Sequence, residues 1–328
     1  MPSHTPDIEY APYKPEGSPL TLDIVSPPEL QYSPQPMPNH SEVSPESISP
    51  RNKFNLSTAE LTEMAKKLRR HVITMIATAG SGHPGGSLSA ADIITALYFK
   101  ILRHNPENPQ WSDRDRFILS KGHAAPILYA ALAEAGYFPV AELATLRKLD
   151  SRLQGHTDRK FTPGVEMSAG SLGMGLSFAI GIALAAKLDS KTYRTYVLLS
   201  DGECEEGQTW EAALSAAHFK AHSKLDNLTA VVDCNGMQLS GRTCDIMNLE
   251  PLTRKWQAFG WHTIDIDGHD FDQILSAYQG AEKIQNKPTV IIARTIKGKG
   301  VSFMENNVVF HGKAPTWEEA ERALKELE

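Results

Sequence analysis

The chain has 328 residues, of which 41% are hydrophobic and 22% charged, as is usual for a soluble globular protein with a substantial core. The whole formal net charge of −6 comes from the first 50 residues, which hold seven acidic residues and one lysine. The remainder is neutral, with 32 basic and 32 acidic residues. Nucleic-acid-binding proteins concentrate an excess of Lys and Arg, so this balance argues against nucleic acid as a partner.

Cysteine usage and the lack of targeting signals favour a reducing compartment, and we expect a cytoplasmic protein. The cysteines Cys204, Cys234 and Cys244 are too few and too scattered for a disulfide framework. The acidic N-terminus fits neither a secretory signal nor a mitochondrial transit peptide. The uncharged stretch at 170–186 contains four glycines and is too short to span a bilayer comfortably, so no membrane segment is predicted.

The N-terminal region differs in composition from the rest of the chain. Of the 21 prolines, 12 lie in the first 50 residues, among Ser, Glu and scattered aromatic residues without any period. Such a segment buries too little apolar surface to offset its chain entropy, which predicts a disordered tail over 1–53 and one ordered domain over 54–328. The alternative is that proline-rich pieces such as 33–38 bind a partner.

Order is predicted to begin at a capping-box pattern, Ser57 to Glu60, which starts an apolar helical stripe that reaches Ala79 and stops at Gly80. Short β-branched or apolar runs then predict strands at 116–119, 195–199, 228–232, 262–266 and 289–293. Helical patterns are predicted at 124–135, 176–187, 211–220, 271–284 and 316–328. This alternation predicts an α/β fold, a mostly parallel sheet with helices on both faces.

Polar residues follow two of these strands. Asp201-Gly202 comes directly after one strand and Asn235-Gly236 follows the next. Ligands of open α/β sheets bind beyond the carboxyl ends of the strands, and carboxylate, amide and main-chain oxygens suit a hard cation such as Mg²⁺ that holds a phosphate. The alternative is that both dipeptides are simply turns.

Histidines beside glycines are unusually frequent. Four follow a glycine (His83, His123, His156 and His269), and His311 precedes one. Histidines in turns can face a ligand rather than a core, so several of them converging on one site is a hypothesis. Exposed loop histidines are the alternative reading for each one.

Other signatures are missing or weak. The glycines of 170–175, at the start of a predicted helix, do not follow the dinucleotide-binding pattern, and there is no Walker A sequence, which argues against a nucleotide kinase or ATPase. No serine nucleophile elbow is found, and the three cysteines lack the paired spacing of structural zinc sites.

Taken together, these segments resemble the amino-terminal half of transketolase, whose motifs occur here in the family's order over 57–312. The matching segments are 81–86, 120–124, 155–156, 170–173, 200–202, 206–207, Asn235, 295–300 and 311–312. The resemblance implies the thiamine-diphosphate-binding fold, with thiamine diphosphate and Mg²⁺ as cofactors.

The family's site residues carry over by motif. The resemblance implies that Asp201, Asn235 and the carbonyl of Met237 bind the metal. The residues it places against the cofactor are His123, Gly170, Leu172, Gly202, Glu206, Asn235 and His311. It places His83 and His156 against the sugar, with His83, His156 and His311 as the catalytic histidines and His83 and His311 moving protons.

The implied reaction is the transfer of a two-carbon ketol unit from a ketose phosphate to an aldose phosphate, as in pentose phosphate metabolism. Two details depart from the family pattern. Ser200 replaces the first glycine of the diphosphate motif, and the 32 residues between Gly202 and Asn235 exceed the expected spacing by about four. The excess falls around 221–224, in a connection where loops tolerate insertion, so we expect metal binding to survive.

A full transketolase is about twice as long, and its second domain carries the glutamate that binds the aminopyrimidine ring. The chain therefore resembles the amino-terminal subunit of a split transketolase. It is expected to be inactive alone and to need a carboxy-terminal subunit with the pyrimidine-binding domain, as a heterotetramer of two and two. Two interpretations of Glu206 and Glu211 are open. In the first, both are simply favourable partners of a helix dipole, as acidic residues at a helix start usually are. The family resemblance instead implies that Glu206 lies at the contact between subunits and relays communication between the two cofactors.

Three alternatives remain at this point. A related thiamine diphosphate enzyme could act on a specialised sugar or a secondary metabolite. A 2-oxo-acid dehydrogenase subunit is disfavoured, because its motif lacks the 120–124 and 155–156 elements. A non-catalytic scaffold of the same fold is disfavoured by the intact Asp201, Asn235, His83 and His311, and magnesium-dependent cofactor binding would discriminate it.

Overall fold

The computed structural model describes residues 53–219 and 224–328. All but the last residue of the predicted tail, and all but one residue of the predicted insertion at 221–224, lie outside these ranges.

The first helix, α1 (Thr58–Ala79), begins and ends where the sequence predicts. The Glu60 backbone N–H donates to the Ser57 hydroxyl at 3.4 Å, and the Ser57 N–H donates back to the Glu60 carboxylate at 2.7 Å. Gly80 ends the helix in the left-handed conformation, with φ of 62°. This glycine is favoured because other residues adopt that conformation at a steric cost.

A five-stranded parallel sheet forms the centre of the domain, in the order β1-β2-β3-β7-β6. Its strands are β1 (Arg116–Leu119), β2 (Thr195–Ser200), β3 (Leu228–Cys234), β6 (His262–Asp267) and β7 (Thr289–Arg294). A two-stranded antiparallel hairpin, β4 (Met237–Gln238) and β5 (Gly241–Arg242), follows β3. All five predicted strands are confirmed, and the α/β fold with them.

Helices cover both faces of the sheet. They are α2 (Pro84–Ser89), α3 (Ala91–Ala96), α4 (Ala125–Ala135), α5 (Met174–Leu188), α6 (Gly207–His218), α7 (Thr243–Ile246), α8 (Leu252–Ala258), α9 (Phe271–Lys283) and α10 (Trp317–Glu326). One apolar cluster joins the sheet to α1, α3, α4, α9 and α10, and a second joins its other face to α5, α6 and α8. Strand β2 shows why: Tyr196 and Leu198 point into the first cluster, Val197 and Leu199 into the second.

Two parts of the fold carry no periodic signal. Helix α2 is entirely buried, yet it consists mainly of Gly and Ser, so its sequence has no apolar stripe that would predict a helix. Helix α3 continues into a π-helical turn at Leu97–Ile101 that is also largely buried. Among the described helices, none combines the length and the apolar character needed to cross a membrane.

Helix α5 approaches the loop after β1 very closely at Gly175. The Gly175 N–H donates to the Ser120 hydroxyl at 3.1 Å. A Cβ at position 175 would lie 2.8 Å from the Ser120 Cα, closer than real Cβ contacts. Because the clash is with backbone, it could be relieved only by moving the helix away from the sheet.

We therefore expect Gly175→Ala to lower the free energy of unfolding by about 1–3 kcal/mol, the usual range for overpacking a core. Urea denaturation measures this. Gly280→Ala in α9 is the matched control, because a Cβ there meets only Ile264 at 3.6 Å and the change should stabilise the helix by about 0.5–1 kcal/mol. Equal effects of the two substitutions would contradict the packing argument.

Candidate functional site

A cavity of about 220 Å³ lies beyond the carboxyl ends of β2 and β3. Seven of its lining residues are predicted site or cofactor residues: His123, Leu172, Gly202, Glu206, Asn235, Met237 and His311. The connections after β1, β2 and β3 and the loop ending at His311 bring them together. The cavity thus stands where an open parallel sheet usually binds its ligand.

The predicted metal ligands meet at this sheet edge. One carboxylate oxygen of Asp201 accepts from the Gly236 N–H at 2.6 Å and the other from the Gly202 N–H at 2.9 Å. The side-chain oxygen of Asn235 accepts from the Met237 N–H at 3.2 Å. Burial, with a smaller contribution from Asp233, raises the pKa of Asp201 to about 7. A buried carboxylate in this state would be stabilised by a cation.

Four of the five glycine-flanked histidines converge. The ring of His83 lies 5.3 Å from that of His123, 5.7 Å from that of His311 and 6.3 Å from that of His156, between centroids. His123 and His311 stack at 5.2 Å. The hypothesis of converging histidines is therefore confirmed for these four.

His269 does not join this cluster. Its Nε2 accepts from the Ile296 N–H at 2.8 Å, so Nδ1 carries the proton and donates to the Asp92 carboxylate at 2.7 Å. Asp92 also pairs with the buried Arg69 at 2.6 Å. His269 therefore ties α3 to the segment after β7. Gly170 is exposed in the turn before α5 and is not among the residues that line the cavity.

Lys297 connects two of the predicted site residues and was not predicted itself. Its ammonium donates to the Met237 carbonyl at 3.2 Å and to Nδ1 of His311 at 2.9 Å. His311 therefore carries its proton on Nε2. Burial, followed by repulsion from Lys121, lowers the pKa of Lys297 to about 8. Burial and the nearby Lys297 lower the pKa of His311 to about 3.

A buried ion pair at the cavity wall, to which Lys121 contributes, was also missed. The Lys121 ammonium donates to the Asp233 carboxylate and, at 2.8 Å, to the Gly86 carbonyl. Ser89 and Thr295 donate to the same carboxylate. Lys121 lies inside the 120–124 motif and Asp233 lies two residues before Asn235, but a lone Lys or Asp usually faces solvent, so only their burial could identify the pair.

Glu203 is a fourth residue that the sequence analysis missed. Its carboxylate is fully buried and accepts from the Ser120 hydroxyl, from the Gly173 N–H at 2.8 Å and from the Ser200 N–H at 3.2 Å. The Ser200 hydroxyl accepts from the Glu203 N–H at 3.2 Å. Ser200, the departure from the family's glycine, thus adds a hydrogen bond at the start of the short 3₁₀ turn Gly202–Glu205, whose N-cap is Asp201.

A more open cavity of about 680 Å³ adjoins the same loop; Asp201 lines it, and it shares Asn235 and Met237 with the smaller cavity. Its wall includes Arg294, whose guanidinium is paired with Glu250 at 2.5 Å and with Asp265 at 3.0 Å. Because none of the clustered histidines lines it, the smaller cavity is the better candidate for chemistry.

The donor set fits a magnesium ion. Asp201, Asn235 and the Met237 carbonyl offer one carboxylate, one amide and one main-chain oxygen within a single loop cluster, and Mg²⁺ prefers such hard oxygen ligands. Only one of the three is an acidic side chain. In keeping with this, the described residues contain no group of three or more His, Cys, Asp or Glu that could hold a metal.

The electrostatics of His83 lead to a testable expectation. Burial, with smaller contributions from the charges of Arg147 and neighbouring groups, lowers the pKa of His83 to about 4. The Arg147 guanidinium lies 3.5 Å from Nδ1 of His83 and is fixed by the Ser81 hydroxyl at 2.6 Å. We expect His83 to stay neutral down to about pH 4, and Arg147→Gln to raise its pKa.

NMR titration of the histidine rings in the isolated chain measures this, with His83→Gln assigning the signal. Arg152→Gln is the matched control, because Arg152 lies in the same loop but pairs with Glu142 at 3.0 Å. The sign for stability follows: an unfolded His83 binds a proton below about pH 6.5 and the folded one does not, so this residue destabilises the fold as the pH falls from 6.5 towards 4. Titration of His83 near pH 6.5 would contradict the expectation.

Comparison with known proteins adds independent information. The family described as "Transketolase, thiamine diphosphate binding domain" matches residues 61–327. The chain is 46% identical over 269 residues to the 6-deoxy-6-sulfo-D-fructose transketolase subunit SqwG of Clostridium sp. (strain MSTE9), covering 82% of this chain and 96% of that protein. It is 43% identical over 277 residues to one subunit of the apulose-4-phosphate transketolase of Actinobacillus succinogenes, covering 84% of this chain and 99% of that protein.

Solved structures give the same result. The transketolase of Campylobacter jejuni superposes with a TM-score of 0.77 at 33% sequence identity, covering 83% of this chain and 43% of that one. The chain thus spans less than half of that transketolase but nearly all of the two separate subunits. The family match, the sequence identities and the shared fold show that the chain belongs to the transketolase family and corresponds to its amino-terminal, thiamine-diphosphate-binding domain.

Proposed function

We propose that the chain is the amino-terminal subunit of a thiamine diphosphate- and Mg²⁺-dependent transketolase that moves a two-carbon ketol unit from a ketose phosphate to an aldose phosphate. One observation carries the proposal: the cluster of four histidines adjoins an oxygen-donor loop at the carboxyl edge of the sheet. A degenerate scaffold would have no need to keep both in place.

Asp201, Asn235 and the Met237 carbonyl would hold the metal, and the metal would hold the diphosphate. Lys121 and Lys297 line the same cavity and add positive charge to it. The lining residues His123, Leu172, Gly202, Glu206 and His311, with Gly170 in the adjoining turn, would contact the cofactor. When bound, thiamine diphosphate supplies a nucleophilic carbon and an electron sink for the two-carbon unit.

The histidines would serve the sugar. His83 and His311 have depressed pKa values, near 4 and 3, so both rings are neutral at physiological pH and can exchange protons with hydroxyl and carbonyl oxygens. His311 presents Nε2–H as a donor, because Lys297 occupies its other nitrogen. His156 is exposed at the rim, where it would meet the incoming substrate.

The assembly would be completed by a separate chain. The two relatives that match this chain over nearly their full length are named as subunits, which supports a partner carrying the pyrimidine-binding domain. We propose two copies of each chain in a heterotetramer, located in the cytoplasm. The three free cysteines are consistent with a reducing compartment.

A specialised sugar is the second candidate substrate. The two subunit relatives are named for 6-deoxy-6-sulfo-D-fructose and apulose 4-phosphate, whereas full-length transketolases such as the human one are 42% identical over 270 residues. Identity to the specialised subunits is thus at least as high. Assays of the assembled enzyme with pentose phosphates and with these sugars would separate the two candidates.

Cofactor binding tests the metal site. Asp201→Asn should weaken thiamine diphosphate binding at least tenfold in the presence of Mg²⁺, because a charged ligand is lost and about 1.4 kcal/mol corresponds to tenfold. Isothermal titration with Mg²⁺ or with EDTA measures the difference. The exposed Asp245→Asn is the control and should bind as the parent does. Binding that is indifferent to both EDTA and Asp201→Asn would refute the proposed site.

Activity tests the split enzyme. The chain alone should show no ketol transfer, and transfer should appear on mixing with a separate chain that carries the pyrimidine-binding domain. Glu206→Gln should then weaken assembly or cofactor activation, because Glu206 is exposed at the cavity, at the start of α6.

Glu211→Gln, one turn further along α6, is the matched comparison for Glu206. Ketol transfer by the chain alone would overturn the split-enzyme proposal. Unchanged assembly and activity in Glu206→Gln would overturn only the relay role, since Glu206 would then be no more than a favourable partner of the helix dipole.

A further inference from the structure

His269 is the glycine-flanked histidine that the cluster leaves out, yet both of its ring nitrogens are engaged. Nδ1–H donates to the Asp92 carboxylate at 2.7 Å, and Nε2 accepts from the Ile296 N–H at 2.8 Å. The side chain is only 13% exposed. The ring is therefore fixed in one tautomer and one orientation, because the bond at each nitrogen sets the role of the other.

The acceptor behind His269 is itself fixed. Asp92, on α3, accepts from both terminal nitrogens of the Arg69 guanidinium, at 2.9 Å and 2.6 Å. Burial alone would raise the pKa of Asp92, but Arg69 and His269 hold it below the usual value. An ionised carboxylate only accepts hydrogen bonds, so it takes the Nδ1–H of His269 and leaves Nε2 as the acceptor for Ile296.

Ile296 immediately precedes Lys297, whose contacts belong to the candidate site. The Lys297 ammonium donates to the Met237 carbonyl at 3.2 Å and to Nδ1 of His311 at 2.9 Å. A displacement of the main chain at 296–297 by about 1 Å would take both contacts out of hydrogen-bond range. The place of this main chain therefore decides whether the two contacts exist.

The Lys297 side chain has little room to compensate for such a displacement. A Cβ at Gly85, on α2, would lie 3.1 Å from Cγ and 3.3 Å from Cε of Lys297. The same atom would lie 2.9 Å from the carbonyl of Phe310, the residue before His311. The stem of Lys297 thus runs close along the backbone of α2 and cannot swing towards it.

The main chain around Lys297 has further hydrogen bonds, and their partners are main-chain groups. They join the Thr295 N–H to the Cys234 carbonyl at 3.1 Å, the Gly298 N–H to the Gly85 carbonyl at 3.0 Å and the Asn306 N–H to the Lys297 carbonyl at 2.9 Å. The Ile296 N–H differs because its acceptor is a side chain. His269 is thus the point at which a residue outside the cavity lining holds this segment.

We propose that His269 is a positioning residue of the candidate site. By accepting from the Ile296 N–H, it sets the place of Lys297 and so the hydrogen bonds of Lys297 to the Met237 carbonyl and His311. The Arg69–Asp92 ion pair is the fixed end of this connection. The inference rests on the proposed function, because the groups that Lys297 contacts are those that would serve the metal and the sugar.

Two conservative variants separate the two hydrogen bonds of His269. The amide of glutamine ends as many bonds from Cα as Nε2 does, so His269→Gln can still accept from Ile296. The amide of asparagine ends as many bonds from Cα as Nδ1 does, so His269→Asn can still donate to Asp92 but cannot reach the Ile296 N–H. Only the asparagine variant should disturb Lys297.

The measurement is the rate at which acetic anhydride acetylates Lys297 in the isolated chain, followed by mass spectrometry. Lys121 is the internal standard, because it lines the same cavity, is fully buried and is held by Asp233. We expect His269→Asn to raise the ratio of the Lys297 rate to the Lys121 rate about tenfold, as the loss of one hydrogen bond allows. His269→Gln should leave this ratio as it is in the parent chain.

A general loss of stability gives a different result. It would raise the rates of both lysines together, because both would react through the same unfolding, whereas a displacement of Lys297 changes the ratio. His262→Asn is the matched control, since it makes the same substitution at the start of β6, outside the cavity lining. It should leave the ratio unchanged.

An unchanged ratio in His269→Asn would overturn the proposal, and so would a ratio that rises equally in the two variants. If the asparagine variant does not fold, His269→Gln and the parent chain decide. The ratio must then follow the protection of the Ile296 amide against hydrogen exchange, and a ratio that varies independently of this protection would refute the positioning role.

Cofactor binding gives the second readout. Isothermal titration with thiamine diphosphate and Mg²⁺ should show weaker binding in His269→Asn than in His269→Gln, and equal binding by the two variants would overturn the role of His269 in the site. If the parent chain binds no cofactor, the proposed function fails, whereas the acetylation ratio still decides whether His269 positions Lys297. The two failures are therefore distinguishable.

Discussion

The buried ion pair between Lys121 and Asp233 is the interaction on which the site depends. Its members come from the loop after β1 and the end of β3, and the Ser89 and Thr295 hydroxyls attach α2 and the segment after β7 to the same carboxylate. Burial alone would raise the pKa of Asp233, but Lys121 and the two hydroxyls hold it below the usual value. Removing either partner would leave an uncompensated buried charge, which typically costs about 3–5 kcal/mol.

The same pair connects the two halves of the site. Lys121 lies two residues before His123, and Asp233 lies two residues before Asn235 and accepts from its amide at 3.3 Å. That contact turns the amide nitrogen of Asn235 towards the protein and leaves the oxygen for the loop where the metal would sit. The histidine cluster and the oxygen-donor loop are therefore positioned by one charge pair, which explains why they occur together.

The charges around the cavity also affect the protonation of the histidines. Lys121 and Lys297 are buried side chains that line it, and after burial itself they contribute to lowering the pKa values of His311 and His123. Neutral rings and fixed cations suit a site that must hold a diphosphate and exchange protons with a sugar.

From the sequence alone, the five strands of the parallel sheet and the helices α1, α4, α5, α6, α9 and α10 were predictable, because apolar spacing and caps such as Ser57 are local properties. The sequence also located Asp201, Asn235 and the glycine-flanked histidines, because strand ends and turns are readable from neighbouring residues. Which histidines meet depends on contacts between distant parts of the chain, which place His269 beside Asp92 and His83 beside His123. The tertiary structure alone identified Lys121, Asp233, Glu203 and Lys297, since the role of a charged residue depends on burial and partners distant in sequence.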